Sequence, residues 1–231
     1  LERYLSTFHH TVGVMQTRAG LERVAFEAVM DLASENIIYA ELRWAPEQHL
    51  NLGLSLDEAV EAVQDGLERG MEQVGDRGGF IRTGQIISAM RHADNALEVA
   101  ELAVRHRNDG VVGFDIAGPE EGFLPSRHQL AFDYLAAELF PCTVHAGEGS
   151  GIESIKDAIV SGRALRIGHG VRLVEDIMFS RTDGYTDLVV LGPLAQWVHD
   201  RQIALEVSPS SNLQTGSFSI LGDTMADYPI D

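Results

Sequence analysis

The chain has 231 residues, 45% hydrophobic and 23% charged, with a mean hydropathy of −0.03, which is a globular balance. Its 35 acidic and 17 basic residues leave a net charge of −18, a surface that repels phosphate backbones and argues against nucleic-acid binding. The one cysteine, Cys142, excludes an intrachain disulfide, and no apolar run approaches the roughly 18 residues of a membrane span, so a cytoplasmic setting without a membrane partner is expected.

Residues 1–6 do not read as a signal peptide. Residues 19–35 have helical period, with Leu21, Val24, Ala25, Ala28 and Leu32 on one face. A strand over 37–42 follows, with Glu41 and Arg43 at its end. Ser55 caps the next helix, and Glu58 three residues later completes a capping box. That helix keeps a 3.6-residue period through Leu56, Val60, Val63, Leu67, Met71 and Val74. Strands over 81–90, 111–116, 142–145 and 165–168 then alternate with helices over 94–107, 126–139 and 152–161. A long loop containing residues 181–184 leads to a helix over 191–200 and a last strand over 203–207.

Six strands alternating with helices predict a parallel sheet with helical crossovers, in an α/β chain without a linker or a close repeat. A doubly wound sheet and a (β/α)8 TIM-type barrel are the competing architectures. Polar residues lie at the ends of several strands: Glu41 and Arg43, Asp115, His145 and Glu148, His169, Glu206 and Ser208. A barrel converges all its strand ends on one pocket. A doubly wound sheet concentrates function at one switch point, usually with a glycine-rich loop, and no such loop occurs here. The barrel is therefore expected, as one domain over 1–231. It needs eight strands, and six are found.

The strongest local pattern is Thr143-Val-His145-Ala-Gly-Glu148-Gly-Ser-Gly151. A histidine ends a strand, and a glycine-rich turn brings a carboxyl into the same space. A neutral imidazole can hold zinc, and a carboxyl in a dry pocket can act as a general acid. A hydrogen-bonded core histidine beside a surface glutamate fits the same letters. Arg166-Ile-Gly-His169-Gly repeats the strand-end histidine; a turn histidine is its plain alternative. Gly113-Phe-Asp115-Ile-Ala-Gly118-Pro-Glu120 places an acid within an apolar strand, where it needs a partner such as an arginine or a loop amide. Gly118 can present its N–H to a substrate. For Glu41 and Arg43 a structural ion pair is the simpler expectation, and for the loop Glu206-Val-Ser-Pro-Ser-Ser-Asn212 a turn scaffold. His9, His10, His92, His106, His128 and His199 read as surface or capping residues.

In this order the motifs resemble those of the adenosine deaminase family of metal-dependent amidohydrolases. The likeness runs from Tyr39-Ala-Glu-Leu-Arg43 with Pro46 through Gly113–Gly118, His145–Glu148 and Arg166–Gly170 to Ser208–Asn212 with Thr215-Gly216, and includes the spacing of 24 residues from His145 to His169. The resemblance implies that His145 is a zinc ligand. It implies that Glu148 protonates the purine N1, that His169 orients or deprotonates the zinc-bound water, and that Gly118 contacts the purine. Adenosine, and deoxyadenosine with it, would become inosine and ammonia, with one Zn2+ per site and a purine nucleoside as the small-molecule partner. The family's first-strand His-x-His and last-strand acidic pair have no counterpart, and the six strands read as strands two to seven. The 231-residue chain alone is therefore expected to be inactive. Alternative readings are a deaminase of another aminopurine such as adenine, or a truncated, non-catalytic barrel fragment.

Overall fold

The computed structural model describes residues 8–182 and 185–217. Helices α1 (Phe8–Val14) and α2 (Arg18–Ser34) precede β1 (Tyr39–Trp44), and α3 (Leu56–Asp76) leads to β2 (Arg82–Met90). The alternation continues through α4 (Ala96–Arg105), β3 (Val111–Ala117), α5 (Gln129–Ala137), β4 (Thr143–Ala146), α6 (Ile152–Val160) and β5 (Arg166–His169). An antiparallel pair, β6 (Ile177–Thr182) and β7 (Tyr185–Leu191), is followed by α7 (Pro193–Asp200), β8 (Ala204–Glu206) and α8 (Pro209–Thr215).

The expected capping box is formed: Ser55 Oγ accepts from the Glu58 N–H and the Glu58 carboxylate accepts from the Ser55 N–H. The β1 ladder starts two residues later than its apolar run, because Tyr39 is the first residue opposite β2. Ile38 reaches β2 only through its carbonyl, which accepts from the Arg82 N–H. The β6–β7 pair replaces the expected long loop. Asp183 and Gly184 of that loop, residues 1–6 and the stretch 228–231 lie outside the described residues.

The six expected strands are all present and parallel, in the order β1-β2-β3 and β4-β5-β8, with a bridge from Phe114 to Cys142 joining β3 to β4. Six strands in a flat sheet would set the outermost two roughly 24 Å apart at about 4.8 Å per strand. Instead Arg43 at the end of β1 forms an ion pair with Glu206 at the end of β8. The sheet is therefore curled, its strand ends facing one another, which decides against a flat doubly wound arrangement. A closed eight-stranded barrel is not what the described residues form, since β1 pairs only with β2 and β8 only with β5 among them.

Two apolar clusters fix this shape. One joins β2–β5 to the helices outside them through Ile87, Phe114, Ile116, Phe132, Leu135 and Ile167. The other seals α2 and α3 against β1 through Leu21, Ala25, Val29, Val63 and Leu67, with Trp44 packed against both. Cys142 is buried in the first cluster, its S–H directed at the Gly162 carbonyl at 3.1 Å, and burial pushes its thiol up to about 12.

Candidate active site

The parallel strands deliver their last residues to one end of the sheet, and Asp115 organises what gathers there. Its carboxylate is fully buried at the end of β3. It accepts from the His145 main-chain N–H at 3.1 Å, from Ser88 Oγ at 3.1 Å and from His145 Nδ1 at 2.8 Å, and it faces Arg43 Nε at 3.6 Å. Burial opposes ionisation of Asp115, but His145 and Arg43 outweigh it and hold the carboxyl below its usual range. With His145 Nδ1–H donating to the Asp115 carboxylate, the Nε2 lone pair of His145 points outward, where Arg43 Nη1 lies at 3.2 Å. A carboxylate behind one ring nitrogen is the arrangement that orients a metal-binding imidazole through the other.

His169 ends β5 beside His145, with ring centroids 5.4 Å apart. Its φ of 68° is left-handed, uncommon for a residue with a Cβ and frequent where a backbone is constrained for function. Asn212 on α8 bonds to His169 Nδ1 at 2.7 Å, which turns Nε2 toward the Glu148 carboxylate at 3.5 Å. Glu148 stands on the turn after β4, where Gly147 has φ 71° and a Cβ would meet Ile155 Cδ1 at 2.5 Å, so only glycine fits there. The buried Glu120 carboxylate accepts from the N–H groups of Gly147, Glu148, Gly149 and Ser150 at 2.5, 3.0, 2.6 and 3.0 Å. Ser217 Oγ donates to the Glu148 carbonyl at 2.8 Å.

The structure thus brings His145, His169 and Glu148 together. Gly118 lies on the other side of His145, in a cavity of about 670 Å³ that also holds Met90 and His92. That volume is in the range of small-molecule sites, about 300–1,000 Å³. A second cavity of about 410 Å³ is lined by Arg43, His145, His169 and Glu206. Glu148 borders neither and stands behind them, its carboxylate 3.5 Å from His169 Nε2. Glu41 and Arg43 do not pair with each other: Glu41 binds Arg166 Nη2 at 2.6 Å, while Arg43 serves Glu206 and His145. The loop around Asn212 is more than a scaffold, since Asn212 orients His169. His106 caps the C-terminus of α4 and His128 the N-terminus of α5, so both are capping residues as expected, though buried; His49, which the sequence reading passes over, is buried too. Sequence reasoning also missed Arg91, fully buried with Nη1 on the His145 carbonyl at 3.2 Å, and Glu120, whose neighbour Glu121 looks alike in sequence yet is exposed.

The sequence model of the adenosine deaminase family matches residues 1–231. The chain belongs to this family. It is 54% identical over 230 residues to adenosine deaminase 1 of Streptomyces coelicolor, covering 100% of this chain and 56% of that protein, so it spans little more than half the relative's length. The Arabidopsis ADAL structure complexed with IMP superposes at a TM-score of 0.74 with 25% identity, covering 97% of this chain and 62% of the other. An amidohydrolase from Burkholderia ambifaria with bound Zn gives 0.64 at 25% identity over 70% of this chain and 44% of its own. Among the described residues no three His, Cys, Asp or Glu side chains are grouped to hold a metal. His145, backed by Asp115, fits one position of such a site. No helix among the described residues is long and apolar enough to cross a membrane.

Proposed function

We propose that the protein carrying this chain hydrolytically deaminates adenosine, and deoxyadenosine with it, to inosine and ammonia. The observation that supports this best is the trio His145, His169 and Glu148 at converging strand ends, each held by its own buried partner: Asp115, Asn212 and Glu120. The relatives' activity is consistent with it. His145 Nε2 would take one position of a zinc site; zinc, when bound, supplies an activated water at neutral pH. Glu148 delivers a proton to the purine N1, which makes C6 electrophilic. His169, its ring fixed by Asn212, orients the attacking water and takes up its proton. Gly118, with its φ of 106° at the edge of the larger cavity, offers its N–H to the purine. Ammonia leaves from C6, and the product carries a carbonyl oxygen in its place. Residues 1–231 form part of one α/β catalytic domain that works in the cytoplasm, with a purine nucleoside and no nucleic acid as its partner.

Glu148→Gln tests the assignment. The variant should keep its zinc while kcat falls about 10²–10⁴-fold, the usual worth of a positioned general acid; a near-normal rate rules the acid role out. His145→Ala should lose metal and activity together, read by metal analysis of the purified protein. The 231-residue chain by itself should turn over no adenosine, and stoichiometric zinc with turnover in that chain would show the reading of its donor set to be mistaken.

A further inference from the structure

Four consecutive main-chain N–H groups, from Gly147 to Ser150, point at one place. Such a nest forms when a left-handed residue begins a turn, here Gly147, and it attracts an anion. The chain supplies that anion from another loop: the Glu120 carboxylate, 3% exposed, accepts from all four. Hydrogen bonds from N–H groups to an ionised carboxylate are roughly twice as strong as neutral ones, and a buried carboxylate left without them would be costly. Arg91, fully buried with Nη1 on the His145 carbonyl, adds a cation whose field reaches Glu120.

We propose that Glu120 is the positioning residue of the Glu148 turn. Its carboxylate fills the nest of N–H groups over 147–150 and so fixes where the Glu148 carboxyl stands opposite His169. This rests on the reading of Glu148 as the proton donor. The other supports of the turn are fewer: the Arg172 N–H to the Gly147 carbonyl at 3.1 Å, Ser217 on the Glu148 carbonyl, and Gly147 against Ile155. Glu120→Gln keeps the size of the side chain but removes its charge and turns an NH2 toward the nest. A displacement of about 1 Å in a reacting group can cost on the order of 100-fold in rate.

The test is a double-mutant cycle in the zinc-loaded enzyme, with amide hydrogen exchange as a second readout. Glu120→Gln should lower kcat about 10–100-fold in the parent and change it little in a Glu148→Gln background, where no acid is left to misplace. The amides over 147–150 should lose protection in Glu120→Gln while those of β4 and β5 keep theirs. Glu120→Asp, which retains the charge on a shorter arm, should recover part of the rate. An equal loss of kcat in both backgrounds, or unchanged exchange over 147–150, overturns the proposal, as does a loss in Glu120→Asp as large as in Glu120→Gln. A near-normal rate in Glu148→Gln alone overturns the acid reading instead, and exchange over 147–150 then still reports whether Glu120 holds the turn.

Discussion

His49 and His128 are buried, and each meets a main-chain carbonyl: His49 Nδ1 on Met15 at 2.8 Å and His128 Nε2 on Arg91 at 2.8 Å. A carbonyl only accepts, so the facing ring nitrogen carries the proton. Burial lowers the pKa of both rings, and for His128 the cations Arg127 and Arg91 add to it. The unfolded chain binds these protons at the ordinary value of about 6.5, the folded chain only below it. The stabilisation is therefore complete above about pH 6.5 and is lost as pH falls through the lowered folded values. The urea midpoint should drop between pH 7.5 and 5, and the drop should shrink in a His49→Gln/His128→Gln variant. An equally steep profile in that variant would assign the acid sensitivity to other groups. His128 also marks a limit of legibility: its place beside a helix reads as surface or capping, and only the packing shows it buried.

Among the elements, α2 and α3 approach so closely that a Cβ on Gly66 would lie 2.2 Å from the Glu22 carbonyl oxygen and 2.8 Å from Ala25 Cβ. The obstacle is backbone, so the helices themselves must part. Gly66→Ala should lose stability by about 1–2 kcal/mol, overpacking outweighing the gain in helix propensity. Gly75, nine residues along the same helix, has nothing within 4 Å of its missing Cβ. Gly75→Ala should leave stability unchanged or raise it by up to about 1 kcal/mol. Thermal unfolding of the pair checks both signs. Where an element has a period and a cap, as in α3, the sequence displays it. The β6–β7 pair was hidden because Met178, Phe179, Val189 and Val190 remain exposed, so no alternation toward a core betrays the strands. Only the Asp183-Gly184 dipeptide, a turn signal between apolar runs, hinted at them.

Over the whole molecule, chain order did most of the work. Parallel strands deliver their ends to one face, so His145 at the end of β4 and His169 at the end of β5 had to meet once each was placed on a strand. Curvature was expected with the barrel, but the side-chain pairings it sets were not legible. It decides that Arg43 pairs across the sheet with Glu206 and that Arg166 takes Glu41, choices that nearness in sequence would have made differently. The same curled shell encloses Cys142, whose thiol faces the Gly162 carbonyl within the apolar cluster. Alkylation needs a thiolate in contact with solvent, and the fold denies both. This single thiol is therefore a built-in stopwatch for opening: in native buffer, the rate at which iodoacetamide marks Cys142, read by intact mass, counts how often the β3–β4 seam comes apart. The marking should quicken with urea well before the global transition if that seam opens on its own, and together with it if the sheet opens as one piece.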